Sequence, residues 1–184
     1  MKRVALAAVS GLAAFGLVWW RGGERAAGPA PSGPEVVVPE AKEPIALDGA
    51  LHEPPWLETD ARTGALLEGA EPARPHAEAR FVKKDGTLWV GLYAADVDIR
   101  SSDHFRVTLA GRAASVNARG TPFGGARAAS EVDGTLDDAL EDEEWTAEIG
   151  LALAGVPDRA PVLVERCKEG KAACARFTGV LVLR

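Results

Sequence analysis

Apolar and polar residues alternate with a period of two along most of this chain, most clearly over Ala77–Phe105. Leu88, Val90, Leu92 and Ala94 alternate with Trp89, Gly91, Tyr93 and Ala95, which puts the two sets on opposite faces of a β-strand. Lys84-Asp85-Gly86-Thr87 just before them supplies a turn, because Asp and Gly tolerate the positive φ of tight hairpins. The stretch predicts two strands, then an acidic loop, then the start of a third strand. Apolar residues on one face and aromatics on the other call for cover on at least one side, and favour both.

The same alternation recurs further on. Phe105, Val107 and Leu109 alternate with Arg106 and Thr108. Ala114–Ala118 is a weaker strand before the Gly- and Pro-rich Gly120–Gly125. Trp145, Ala147, Ile149, Leu151 and Leu153 alternate with Thr146, Glu148 and Gly150. Val162 and Val164 begin another strand, and Val180 and Val182 lie in the last. Ile45–Leu47 reads as a short strand ending at the turn dipeptide Asp48-Gly49, and Pro54-Pro55 is expected to forbid regular structure before Trp56. No stretch in this region carries a helical stripe. Many short strands with Gly/Pro turns predict an all-β fold, an antiparallel, jelly-roll-like sandwich.

The amino end differs. Lys2 and Arg3 precede the uncharged run Val4–Trp20, which ends at Arg21. Trp19-Trp20 beside Arg21 matches the aromatic and cationic edge of a membrane helix. The run lacks an Ala-x-Ala cleavage site just after it, and no Cys follows for a lipid anchor. Residues 1–21 are therefore read as a hydrophobic helix, an uncleaved inner-membrane signal anchor in preference to a cleaved signal peptide. Residues 22–44, with Pro29, Pro31, Pro34, Pro39 and Pro44, are read as an extended linker. Residues 45–184 are left as one exported domain.

Composition narrows the function. A net charge of −6 gives no basic surface for nucleic acid. There is no phosphate loop, nucleophile elbow or His-Glu-x-x-His motif, which points to a non-catalytic domain without a nucleotide. Met1, the sole Met, lies outside the domain, which argues against haem held by Met; a bis-His site from His52, His76 and His104 has no support. Cys167 and Cys174 flank Lys-Glu-Gly-Lys-Ala-Ala between the last two strands. In an oxidising compartment they should bridge a hairpin, stabilising it by about 2–3 kcal/mol in the chain-entropy model.

Several stretches, in order, resemble the family 9 carbohydrate-binding module and its sandwich relatives: Ile45–Trp56 (IALDGALHEPPW), Leu88–Asp98, Ser102–Leu109 (SDHFRVTL), Val116–Phe123 (VNARGTPF), Gly134–Leu153 (GTLDDALEDEEWTAEIGLAL) and Phe177–Leu183. The resemblance implies a β-sandwich that binds sugar without turnover. The Trp pair with which such modules sandwich a sugar ring is missing. Ile99–Ser102 stands in one place and the Cys-closed hairpin in the other.

Candidate ligand residues follow. Trp89 and Tyr93 share a face across Gly91 and could stack on sugar, or else pack. Asn117, at the position the resemblance gives to an Asn, and Arg119 could donate to hydroxyls, or else form a turn. Asp96, Asp98 and Asp103 could hold structural calcium, as relatives do, or else make a solvated loop. Asp133–Glu144 reads as a solvated acidic loop. The expectation is an exported, membrane-tethered carbohydrate-binding domain. The alternative is a cell-envelope structural or protein-interaction domain that has lost sugar binding and takes an envelope protein as partner.

Overall fold

A computed structural model of the chain describes residues 32–138 and 142–184. The N-terminal run expected as a membrane helix, and the beginning of the expected linker, lie outside the described residues. Among the described residues no helix is long and apolar enough to cross a membrane.

In chain order the elements are β1 (Glu35–Val37), α1 (Pro54–Glu58), β2 (Leu67–Glu68), β3 (Glu71–Pro72), β4 (Ala77–Lys84), β5 (Thr87–Ala95), β6 (His104–Leu109), β7 (Arg112–Asn117), β8 (Pro122–Phe123), β9 (Arg127–Asp133), β10 (Glu144–Ala152), β11 (Arg159–Cys167) and β12 (Ala175–Val182). They form two sheets. The larger has eight strands, running β3-β2-β12-β11-β6-β7-β8, with β1 added parallel to β12. The smaller runs β4-β5-β10-β9, and all its pairings are antiparallel. The fold is all-β, as the alternation predicts.

The predicted hairpin is β4–β5. Asp85 and Gly86 both take positive φ, 50° and 72°, the two-residue turn whose twist suits a hairpin. The inward rows of both sheets fill one shared core. Leu88, Val90, Leu92 and Ala94 meet Phe105, Val107, Val162 and Val164 there, all buried. Phe105 and Trp145 cross it, ring centroids 4.7 Å apart.

Three local expectations are corrected. The segment read as linker to Pro44 joins the domain earlier. Its Val36 and Val38 alternate inward and are buried, while β1 pairs with β12 from Glu35↔Val180 to Val37↔Val182. Ile45–Leu47 is not a strand. It crosses the outer face of the small sheet, where no free backbone edge is offered, and contributes Ile45 and Leu47 as packing groups. Pro54-Pro55 starts α1 instead of preventing it, because the first turn of a helix needs no N–H from those residues. The edge of β4 is not left open. Lys83 exchanges bonds with Pro39 and Ala41, and Phe81 donates to the Ala61 carbonyl, which blocks pairing with another chain.

Candidate functional site

The outer face of the small sheet, solvent-exposed in many sandwiches, is half covered here. Residues 41–56 lie across it and form a second, smaller core of Ala41, Trp56, Val82 and Trp89, flanked by Ile45, Leu47 and Leu51. Trp89 is 7% exposed. Arg127 caps it, with its guanidinium carbon 5.3 Å from the ring centroid, a favourable cation–π geometry. Trp89 is therefore a packing residue, the second of the two readings open for it, and not an open platform for a sugar.

Trp56 is held by a buried acid. Glu148 Oε1 accepts the Trp56 indole N–H at 2.9 Å. Its Oε2 accepts the backbone N–H groups of Gly49 at 3.0 Å and Asp48 at 3.1 Å. Thr146 Oγ1 donates to the Gly49 carbonyl at 2.7 Å. Glu148 is 0% exposed. Its desolvation pushes the carboxyl up to about 7, against the pull of the N–H donors. Both Glu53 oxygens are buried nearby without a hydrogen-bond partner, and the Glu53 charge raises Glu148 further. Two stretches that carry the family resemblance, Ile45–Trp56 and the Trp-x-x-Glu-Ile strand, thus meet at one carboxylate. Glu148 is not among the candidate residues read from the sequence, because its partners lie about a hundred residues away in the chain.

Gly91 makes this approach possible. A Cβ there would lie 2.9 Å from both Leu51 Cδ2 and Trp56 Cε3. Leu51 can swing aside, but Trp56 is pinned by its bond to Glu148. Gly91→Ala should therefore destabilise the domain by about 1–3 kcal/mol through overpacking, read as a lower midpoint in urea with an unchanged slope.

Beyond this cover the face opens. Tyr93 is half-buried between its register partners Glu78 on β4 and Thr146 on β10. His76 lies beside it, ring centroids 6.2 Å apart. Burial first, and then a hydrogen bond to Glu144, hold the Tyr93 hydroxyl above its ordinary pKa. Glu144 also lines a hollow of about 360 Å³ with His52, Glu131, Asp133 and Thr146. Glu144 and Asp133 are direct cross-strand partners, as are Thr146 and Glu131. Like charges opposite each other are unfavourable in a sheet. Glu78, by contrast, is paired with Arg80 at 2.9 Å.

Asn117 and Arg119 do not join Trp89 and Tyr93. Asn117 ends β7, and its Oδ1 accepts the Thr121 N–H at 2.9 Å while its carbonyl accepts from Gly120. That is a side-chain-closed turn. Arg119, just beyond, pairs with Asp137 at 3.0 Å. Three of the four residues expected to share a ligand are spent on separate tasks, packing for Trp89, a turn for Asn117 and an ion pair for Arg119, and Tyr93 is left on the strand beside the hollow.

In the acidic loop after β5, the three carboxylates named as candidate calcium ligands are engaged by groups of the protein itself. Asp96 is fully buried and bonded to Arg166, itself buried, and to Lys168 Nζ at 2.5 Å. Asp98 pairs with Arg100 at 2.7 Å. Asp103 accepts backbone N–H groups from Glu169 at 2.6 Å and Arg100 at 3.3 Å, while burial outweighs these bonds and raises its pKa. The protein's own cations and amides thus occupy the three carboxylates. Among the described residues no three His, Cys, Asp or Glu side chains are grouped to hold a metal ion. The expected disulfide is formed between Cys167 and Cys174. Part of the run read as solvated is structural. Asp142 is buried and accepts the N–H groups of Ile99 at 2.7 Å and Thr135 at 2.8 Å. Ile99, in the stretch Ile99–Ser102 that holds no aromatic, is fully buried.

No protein-family model matches the chain, and no curated protein matches it in sequence.

Proposed function

We propose that this is a non-catalytic carbohydrate-binding β-sandwich of the family 9 module type, exported and tethered to the inner membrane through its N-terminal run. The ligand seat lies on the outer face of the small sheet, at Tyr93 and the neighbouring hollow. The observation that carries this reading is one half-buried aromatic ring, Tyr93, whose register partner Thr146 lines a hollow of about 360 Å³ rich in acceptors. Sugar hydroxyls are donors that carboxylates and imidazoles accept, and a Tyr face covers the apolar side of a ring. The ordered motif resemblance supports the same class.

The test is glycan-array and isothermal binding on the full chain. Tyr93→Ala should weaken binding roughly three- to tenfold, the amount one stacked ring contributes. Asn117→Ala and Arg119→Ala should leave binding unchanged. A flat response across soluble and insoluble glycans would remove the saccharide from the account.

A second reading is favoured by the burial of Trp89 and by the absence of an aromatic from Ile99–Ser102, where the resemblance places a sandwiching Trp. On that reading the domain is an envelope interaction module that no longer binds sugar. Recovery of one stable envelope protein, undisplaced by sugars, would decide for it.

A further inference from the structure

We propose that the Cys167–Cys174 disulfide is a redox latch for the loop of residues 96–103, releasing it on reduction while the two sheets stay folded. The argument starts from register. The β11–β12 ladder ends at Arg166↔Ala175, and the disulfide closes the next rung. Cys167 itself stays in the sheet through its pairing with His104 on β6. Beyond it, residues 168–173 are closed on themselves by the bridge and by one turn bond, from the Lys171 N–H to the Lys168 carbonyl at 3.2 Å, and their other bonds run to the 96–103 loop.

That tip grips the loop. Lys168 Nζ reaches Asp96 Oδ1 at 2.5 Å and the Asp98 carbonyl at 2.7 Å. The Glu169 N–H donates to Asp103 Oδ1 at 2.6 Å, and Ser102 Oγ donates to Glu169 Oε2 at 2.5 Å. The gripped carboxylates in turn hold the loop's own backbone. Asp96 Oδ1 accepts the Asp98 N–H, and Asp103 Oδ2 accepts the Arg100 N–H, each at 3.3 Å. The other side of the loop is tied elsewhere. Ile99 donates to Asp142 and Ser101 to Asp137, both at 2.7 Å. Opening the latch therefore frees alternate amides of one short loop, not the loop as a block.

The chemistry is a two-electron exchange. A dithiol attacks one sulfur of the bridge, the protein S–S bond breaks, two protein thiols form, and the reductant leaves as its own disulfide. Cys167 and Cys174 are both only half-buried, so a small thiol can reach them.

Amide hydrogen exchange on the full chain, with and without dithiothreitol, tests the proposal. Exchange at Asp98, Arg100 and Glu169 should become roughly tenfold faster or more on reduction, with Ile99, Ser101 and the β4–β5 amides little changed. Reoxidation should restore the original rates. Lys168→Met, with the bridge intact, should speed Asp98 without any reductant. Unchanged rates at Asp98 and Arg100 in the reduced protein would overturn the latch. Parallel acceleration of the β4–β5 amides would overturn it too, since the bridge would then be a staple for the whole fold.

Discussion

Glu148→Ala is expected to destabilise the domain by about 3–4 kcal/mol, because it strands two buried donors, each costing roughly 1–3 kcal/mol when unsatisfied. Those donors are the Trp56 indole N–H and the Gly49 amide. The melting temperature should fall by roughly 10 °C for a domain of this size. Near-ultraviolet circular dichroism should lose the Trp56 signal before the core Trp145 signal. Glu148→Gln should lie between the two. An amide offers one oxygen, so it can serve Trp56 or the Asp48-Gly49 turn but must point its NH₂ at the other.

The same pair of proteins gives a pH test. Burial raises the folded-state value of Glu148 from 4.5 to about 7. Between those values the native state holds the proton more tightly than the unfolded chain does. The stability from this group is therefore present in full below about 4.5 and is lost as pH rises through about 7. At 1.36 kcal/mol per unit the loss is at most about 3 kcal/mol. Asp103, also raised by burial, acts in the same direction. Urea midpoints measured across this window should slope downward in the native protein and nearly level off in Glu148→Gln. A native slope of the opposite sign would mean that the N–H donors, not burial, set the charge state of Glu148.

The fold was legible where a strand has one wet and one dry face. The rows through Leu88 and Phe105 needed nothing beyond their alternation. β1 was missed because Pro34 and Pro39 bracket it and made a three-residue strand look like linker. β9 was missed because Arg127–Asp133 is an exposed edge strand with little apolar signal. The site was read less well, and one rule explains most of the errors. Alternation on the small sheet calls for cover on its outer face without saying which residues receive it, and residues 41–56 cover half that face. Trp89 and Glu148 lie under the cover and Tyr93 beyond it. Nothing local in the strand tells covered from open; that depends on a segment some forty residues from Trp89 and about a hundred from Glu148 in the chain. A usable signal did exist at the loop end. Asp96 continues the inward row of Leu88, Val90, Leu92 and Ala94, and Arg166 continues that of Val162 and Val164. Two opposite charges, each next in a buried row, are a signal for pairing with each other.

That pairing sets the second large effect. Asp96→Ala should cost about 3–5 kcal/mol, the usual result of leaving a buried ion without its partner. The stranded group is Arg166, whose side chain is 2% exposed and whose Nε already lacks a hydrogen bond. Lys168 loses the same carboxylate but is 16% exposed, so it can turn its ammonium to water and adds little to the loss. Replacing both buried charges by apolar groups of similar reach, Asp96→Leu with Arg166→Met, should recover most of the stability. The interaction of two ions in a dry site is largely offset by what their dehydration costs. Denaturant unfolding of the two single variants and the double variant measures this as a coupling energy. A double variant as unstable as the sum of its parts would mean that Arg166 matters for its stem against Phe105, its register partner on β6, and not for its charge.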